Sequence, residues 1–518
     1  MSWRGAAVHT EAKHKKPCSG GFRRLWNRLK IIWHTPERFM GWIFLVALGY
    51  LTVVPLVEIA ISSFQVQERD LRRIGGAVGD WTLFYWNRAQ NSPYSQRIFY
   101  EPLVHTAVVS IGYTVLAMLI GVTLAWLIVK TDIPGKNLMW SAAIIPYILP
   151  SWTYALVWQG IFGTDQMGVG VPGLLQNTFG IIPPSWLSYG PIPIMVVLAV
   201  NYFVFTYLMA ASAFSTIDST LEEAAVIHGA SRWMVIRKIT LPLILPALGS
   251  AFILTVAQGI GTFGVPAFLG SPARYYVLST SLYQFIKADR MGDAFVVALF
   301  LIFIASLTIY ANSIVLGKRR EFTTMGGKGG ASRPVSLGRW RIPIACAVWI
   351  FLIGTSIVPI ALLIIQSMQI RPGVYSLSNL TLDFWIGKDT AIKGILVDPR
   401  VHSAIWNSLR LAIGVSSIAI IVGMLLSYVM VRGRGTTLAG IVEQLSFLPY
   451  LIPGIAFGAI YLPMWAEPRG PLPALYGTFY LVLLAGLVNR LPFAVRTGVA
   501  AMSQMGASLE EAAEVHGA

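Results

Sequence analysis

Two short clusters of acidic and small residues carry the best-defined chemistry in the sequence. Leu221–Gly229 reads LEEAAVIHG and Leu509–Gly517 reads LEEAAEVHG, the same nonapeptide but for its sixth and seventh letters. Thr220 stands three positions before Glu223, and Ser508 three before Glu511, which is the spacing of a capping box at a helix start. Glu222 and Glu223, like Glu510 and Glu511, would oppose the positive end of the helix dipole. Ala224-Ala225 and Ala512-Ala513 then present a surface with little side chain, open to close approach by another protein. Gly229 and Gly517 stand where such a helix should end in the left-handed conformation that glycine adopts cheaply. This is chemistry of docking rather than of bond making. A lone capping box is an ordinary helix start, but two copies at equivalent positions suggest two matching handles for one kind of partner.

Catalytic equipment is not evident. No GxxxxGK[ST] phosphate loop occurs, and Gly326-Gly327-Lys328-Gly329-Gly330 lacks its spacing, so any ATP must be hydrolysed by another subunit. Cys18 and Cys346 lie far apart and form neither a disulfide framework nor a zinc pattern. The seven histidines are scattered; His228 and His516 fall at helix ends, where a cation-capable ring suits the dipole. The sequence thus predicts no catalytic residue, no metal site and no cofactor in this chain.

The elements that must position the handles are membrane helices. Hydrophobic residues make up 55% of the 518 residues and charged residues 12%, with mean hydropathy +0.64, too little charge to cover a water-soluble surface. Apolar stretches long enough to span a bilayer fall at about 41–64, 103–129, 138–163, 190–214, 243–269, 293–316, 342–367, 406–431, 440–465 and 474–498. The net charge of +16 does not point to nucleic acid, because the basic residues cluster between apolar spans. Residues 1–39 are a basic segment with no apolar core for a cleavable signal, so the N-terminus is expected in the cytoplasm. Alternation then puts Lys130/Lys136, Arg232/Arg237/Lys238 and Lys318/Arg319/Arg320 on that side, and the loop at 163–190, which has no Lys or Arg, on the other. Phe22–Trp33 (FRRLWNRLKIIW) has the spacing of an amphipathic helix lying in the headgroup layer, and reads equally well as a basic topogenic leader.

The chain repeats itself with an offset near 300. Trp81–Trp86 (WTLFYW) is answered by Leu380–Trp385 (LTLDFW), His105-Thr106 by Asn407-Ser408, Leu124-Ala125-Trp126 by Leu426-Ser427-Tyr428, and Tyr147–Pro150 by Tyr450–Pro453. Four parts follow: the basic segment 1–39; a first half, 40–321, with six spans and its handle at about 219–242; a Gly/Ser-rich linker, 322–341; and a second half, 342–518, with four spans. The second half ends at its handle, where the first half continues through two more spans. Pro146 and Pro150 interrupt the third span where Pro449 and Pro453 interrupt the ninth, which suits kinked helices lining a cavity. Asn201 and its counterpart Asn489, followed by Arg490, are further candidates for that lining, although Arg490 could equally snorkel to the headgroups. Glu58, after Pro55, is expected to reach the interface. Otherwise the spans hold few carboxylates, which counts against the rival class, an ion-coupled secondary transporter.

Glu223-Ala224-Ala225, Gly229 and Ile239-Thr240-Leu241-Pro242 resemble the EAA loop of ABC importer permeases, EAA-x3-G-x9-I-x-LP, at every defined position. The second copy matches through Glu511-Ala512-Ala513 and Gly517. The resemblance implies an all-α polytopic membrane protein of two pseudo-symmetric six-helix halves, the type I ABC importer fold, here with the second half cut to four spans. It implies that the stretch containing Glu222, Arg232, Ile239, Leu241, Pro242 and Glu510 forms coupling helices that dock on two ATP-binding-cassette ATPase subunits. ATP and magnesium would be bound by those subunits. A periplasmic solute-binding protein would deliver solute across the bacterial inner membrane. The fused two-half form and the WTLxxW-like loop look most like ferric-iron importer permeases, with thiamine, spermidine/putrescine and phosphonate importers as relatives in the same fold.

Overall fold

The computed structural model describes residues 36–166, 170–215, 217, 219–319, 334–388, 393–452 and 454–503. Phe22–Trp33, Pro453 and the whole second handle lie outside these residues. Within them the chain is all-helical, with four isolated β-bridges and no strand. In chain order the principal helices are α1 (Pro36–Ser62), α2 (Gln96–Lys130), α3 (Lys136–Ala142), α4 (Ile145–Ile148), α5 (Ser151–Phe162), α6 (Ser185–Ser215) and α7 (Ser219–Ile227). They continue as α8 (Trp233–Ile260), α9 (Gly264–Gly270), α10 (Leu278–Lys287), α11 (Met291–Arg319), α12 (Gly338–Ser367), α13 (Pro399–Arg432), α14 (Thr437–Leu451), α15 (Gly454–Met464) and α16 (Phe479–Met502).

Eight of these, α1, α2, α6, α8, α11, α12, α13 and α16, are long and apolar enough to cross a membrane. A lipid-exposed backbone must satisfy its own N–H and C=O groups, and a helix does so within one segment. The other two expected spans are not continuous. The stretch 138–163 is broken into α3, α4 and α5, with Pro150 standing at the N-cap of α5, and 440–465 is divided between α14 and α15. Each proline removes a donor from the ladder. The expected fifth span, 243–269, also ends early: α8 stops at Ile260, and Gly261 to Phe263 lead into the separate helix α9.

The chain divides into two compact units. The larger comprises Val54–Ser416 and Leu448–Asn489. Its centre is the α2–α6 contact, where Tyr113, Ala117, Phe203, Val204 and Tyr207 are buried. Gly121 allows the close approach: a Cβ there would lie 2.0 Å from Thr206 Oγ1 and 2.7 Å from the Tyr207 amide nitrogen. Thr206 Oγ1 donates to the Ala117 carbonyl across the same contact, 2.8 Å. The first helix of each half covers the broken span of the other. Ala345, Val348 and Leu352 of α12 belong to the core around α2 and α6, and Tyr154 Oη on α5 donates to the Thr355 carbonyl at 2.8 Å. Reciprocally, Val54–Ser62 of α1 packs against α15. Glu58 is bound there by Arg469, just beyond α15, through Nη1 and Nη2.

The repeat is visible in the loops of this unit. Gln65 and Trp81 form an antiparallel bridge, as do Gln369 and Leu380. Trp86 Nε1 donates to Ser63 Oγ and Trp385 Nε1 to Ser367 Oγ, both at 3.1 Å. The paired tryptophans thus fold each loop back onto the end of the span before it.

The smaller unit comprises Met1–Val53, Ser417–Phe447 and Arg490–Ala518. Leu48, Leu426, Met430, Val442, Leu491 and Val495 form its core. A Cβ on Gly423 would lie 2.7 Å from Ala494 Cβ, and Ser427 Oγ donates to the Gly423 and Val495 carbonyls at 2.6 and 3.1 Å. Gly423 stands at the repeat position of Gly121, and Ala494 at that of Thr206, so one small-residue contact is made twice.

Candidate partner-docking hairpin and membrane cavity

The first handle is a helical hairpin on a π-turn. α7 ends in a Schellman motif, in which the Gly229 N–H donates to the Val226 carbonyl and the Ala230 N–H to the Ala225 carbonyl, each at 2.9 Å. Gly229 has φ +83°, the left-handed value expected of it from sequence. Ser231 Oγ then accepts the Met234 N–H at 3.3 Å, starting the short run Arg232–Val235. A π-turn, Ile236–Thr240, leads into Leu241-Pro242. Pro242 has no N–H to return to the turn before it, and single π-turns recur where a helix must absorb such a defect.

The two glutamates point to different surroundings. Glu222 is partly buried: its Oε2 accepts from Lys130 Nζ at 3.1 Å and its Oε1 from Thr240 Oγ1 at 2.7 Å. Lys130 itself is 4% exposed. Glu223 and Ala224 are exposed, while Ala225 and Ile239 are half-buried. Leu241 and Pro242 are exposed. Beside Glu223 the hairpin exposes Val226, Ile227, Trp233 and Met234, of which Ile227 is 82% and Trp233 69% exposed. Sequence reasoning did not pick out these four, nor Lys130 and Thr240. The run Val226-Ile227 and the Trp233-Met234 pair were a visible signal, whereas nothing local marks Lys130 as more than a topology lysine. The side chains of Thr220 and Arg232 lie outside the described residues, as do Glu510, Glu511, Ala512, Ala513 and Gly517.

A second feature is a cavity of about 330 Å³ in the larger unit, lined among others by Tyr202, Gln258, Thr262, Tyr450, Gly454 and Asn489. Among the described residues its polar groups are amides, hydroxyls and phenols, with no carboxylate or cation. Of the residues singled out from sequence for a lining role, Asn489 is in it. Asn201 is instead buried against the broken span, donating to the Pro146 carbonyl at 2.9 Å and the Leu149 carbonyl at 3.1 Å. Those are carbonyls whose ladder partners Pro150 and the break remove. Pro146 and Pro449 are buried, Pro150 and Arg490 are exposed, and Pro453 lies outside the described residues. Gln258 and Thr262, at the end of α8, escaped sequence reasoning because that span was expected to run on to 269. Among the described residues no group of three or more His, Cys, Asp or Glu could hold a metal ion.

Residues 117–317, which include the α2–α6 core and the hairpin, match the family described as "Binding-protein-dependent transport system inner membrane component". The chain is 23% identical over 384 residues to the ferric transport system permease protein of Actinobacillus pleuropneumoniae, covering 71% of this chain and 52% of that protein. It is likewise 23% identical over 439 residues to a putative ferric transport system permease of Haemophilus influenzae, covering 82% of this chain and 64% of that protein. A probable sulfate transport permease of Chlorella vulgaris is 26% identical over 228 residues, covering 43% of this chain and 78% of that protein. The chain therefore spans between half and two thirds of the length of the ferric permeases it matches. Among solved structures, a bacterial alginate ABC transporter in complex with alginate pentasaccharide-bound periplasmic protein aligns at TM-score 0.41 and 16% identity, covering 58% of this chain and 99% of that one. Residues 117–317, within an all-helical multi-pass membrane chain, are thus similar to the inner-membrane components of binding-protein-dependent transport systems.

Proposed function

We propose that the chain is the membrane permease of an ABC importer that takes solute from a periplasmic binding protein and moves it into the cytoplasm, with ferric iron as the solute. The observation that carries this reading is the hairpin 219–242: an acid, two alanines and four exposed apolar side chains on a capped helix and the short run after it, inside the span that matches the family. A water-facing loop gains nothing from exposing Ile227 and Trp233 unless a partner covers them. In this reading Glu223, Ala224, Ala225, Gly229, Arg232, Ile239, Leu241 and Pro242 form the coupling surface for one ATP-binding-cassette ATPase subunit, and Glu222 holds the hairpin to α2 behind it. Glu510, Glu511, Ala512, Ala513 and Gly517 serve a second. The N-terminus and both handles lie on the cytoplasmic side of the inner membrane. The neutral cavity at Gln258, Thr262 and Asn489 is the pathway, and its weak contacts suit a carrier that must release its cargo while the binding protein does the selecting. The ferric assignment is supported by the two relatives whose alignments cover most of this chain.

Co-purification tests the class: the tagged permease should bring down an ATPase subunit, and cysteine at Ala225 should crosslink to it. A chain that captures no ATPase refutes the reading. Uptake of labelled ferric iron into proteoliposomes, with ATP inside and iron-loaded binding protein outside, tests the solute; uptake of sulfate in its place would correct it.

A further inference from the structure

The end of α2 holds two things at once. On one side, Lys130 Nζ reaches Glu222 of the hairpin at 3.1 Å. On the other, Lys130, Thr131 and Asp132 grip the chain that leads into α12, the first helix of the second half. The Val335 N–H donates to the Lys130 carbonyl at 2.7 Å, and the Asp132 N–H donates to the Val335 carbonyl at 3.2 Å, a parallel bridge at Thr131. Asp132 Oδ1 accepts the Leu337 N–H at 2.9 Å, and the Asp132 carbonyl accepts Arg341 Nε at 2.8 Å. Thr131 between them is fully buried and donates to the Leu127 carbonyl one turn back. The chain leading into α12 thus meets the hairpin's anchor at the end of α2.

The charge arithmetic makes the joint stiff. A lysine with 4% of its side chain exposed needs a partner, because an unpaired buried ammonium is far costlier than a paired one. Glu222 therefore cannot swing away from α2 while Lys130 stays where it is. The Thr240 hydroxyl closes the second carboxylate oxygen and fixes the start of α8 to the same group. The hairpin, α2, α8 and the entrance to α12 are thereby one mechanical piece, joined through Lys130, Glu222 and Asp132.

Resting on the permease reading above, we infer that Lys130–Asp132 is a positioning joint that transmits motion between the hairpin and the second half. Glu222 is its inward anchor, and Glu223 alone of the two acids is left for the ATPase. Lys130, Glu222 and Asp132 touch neither solute nor nucleotide; they act through the hairpin and α12.

The test uses the complete complex with its ATPase and binding protein in proteoliposomes, read as the stimulation of ATP hydrolysis by loaded binding protein. Lys130→Met and Glu222→Gln should each lower that stimulation about tenfold, within the usual range of coupling between sites. The exchange Lys130→Glu with Glu222→Lys should restore most of it. Asp132→Ala should lower stimulation while leaving basal hydrolysis and ATPase co-purification unchanged. It should also raise hydrogen exchange in residues 219–230, which a purely local role at the linker would not do. Glu223→Lys provides the separating arm. If it leaves ATPase capture intact, the docking reading itself fails. If it abolishes capture while the Lys130 and Asp132 variants keep wild-type stimulation, only the joint is refuted. Variants that lose the whole complex, with no rescue by the charge exchange and no loss of stimulation in Asp132→Ala, also overturn it.

Discussion

Gly229 offers the sharpest test of the hairpin, because its surroundings isolate one physical cause. Its φ of +83° is left-handed, and a Cβ built there would meet no atom within 4 Å. Substitution therefore brings no clash, and its whole cost is the backbone conformation. For alanine that cost is roughly 1 to 2 kcal/mol, which moves the balance between capped and frayed turn by roughly 5- to 30-fold. Asparagine visits the left-handed region more cheaply and should lose much less, whereas valine, branched at Cβ, should lose more than alanine. The observable is the pair of amides that close the cap, Gly229 to Val226 and Ala230 to Ala225. Hydrogen exchange of a peptide covering 219–230, measured in nanodiscs, should rank protection as glycine, asparagine, alanine, valine. Binding-protein-stimulated ATP hydrolysis should follow the same order while membrane insertion stays intact. Equal protection in glycine and valine proteins would show that the cap does not hold the hairpin. Equal losses in the asparagine and valine proteins would show that handedness is not the cause.

Three further outcomes are expected. Asn201→Leu leaves the Pro146 and Leu149 carbonyls without their donor, at a cost of roughly 1 to 3 kcal/mol for each buried group, and should lower the thermal unfolding midpoint clearly; an unchanged midpoint would mean those carbonyls find other partners. Thr262→Trp should fill much of the 330 Å³ cavity and stop uptake without reducing ATPase capture, and uptake at the wild-type rate would place the pathway elsewhere. Burial pushes the Tyr85 phenol up to about 12, with Asp70, 3.2 Å from its hydroxyl, adding to the effect. Because the folded value lies above the usual 10, the contact contributes fully below pH 10 and is lost as pH rises through 12. An ultraviolet titration compared with Tyr85→Phe should show one late-ionising phenol missing, and identical curves would refute the assignment.

Much of the hairpin was legible because its signals are local. A capping glycine, an acidic first turn and an I-x-LP exit each act within a few residues, so a sequence states them directly. The broken spans were legible for the same reason, since a proline's missing donor is a property of that residue. The tandem tryptophans hinted at a repeated loop, and the matching indole-to-serine bonds give the hint its physical content. The roles of Lys130, Thr240 and Asn201 were not legible. Each depends on a partner far away in sequence, Glu222 being 92 residues from Lys130 and Pro146 being 55 from Asn201. Periodicity says which face of a helix is apolar, not which helix covers it. That is also why the expected fifth span ran past Ile260: Gly261 to Phe263 do not interrupt the hydrophobic run, so hydropathy alone carries it on to 269.

The exchange of first helices between the halves sets an order in time. α5 leaves the ribosome with its broken backbone uncovered, and the helix that seals it, α12, is complete only at Ser367. At the usual pace of synthesis those roughly 200 residues take about 10 to 40 s. For that interval the first half is an unfinished object in the bilayer, with Tyr154 awaiting the Thr355 carbonyl. Stretches that wait in this way are where membrane chaperones and quality-control proteases have their opening. Splitting the chain at the linker and expressing the halves separately would lengthen the wait from seconds to however long two insertions take to meet. The yield of such a split protein would measure how long α5 survives alone.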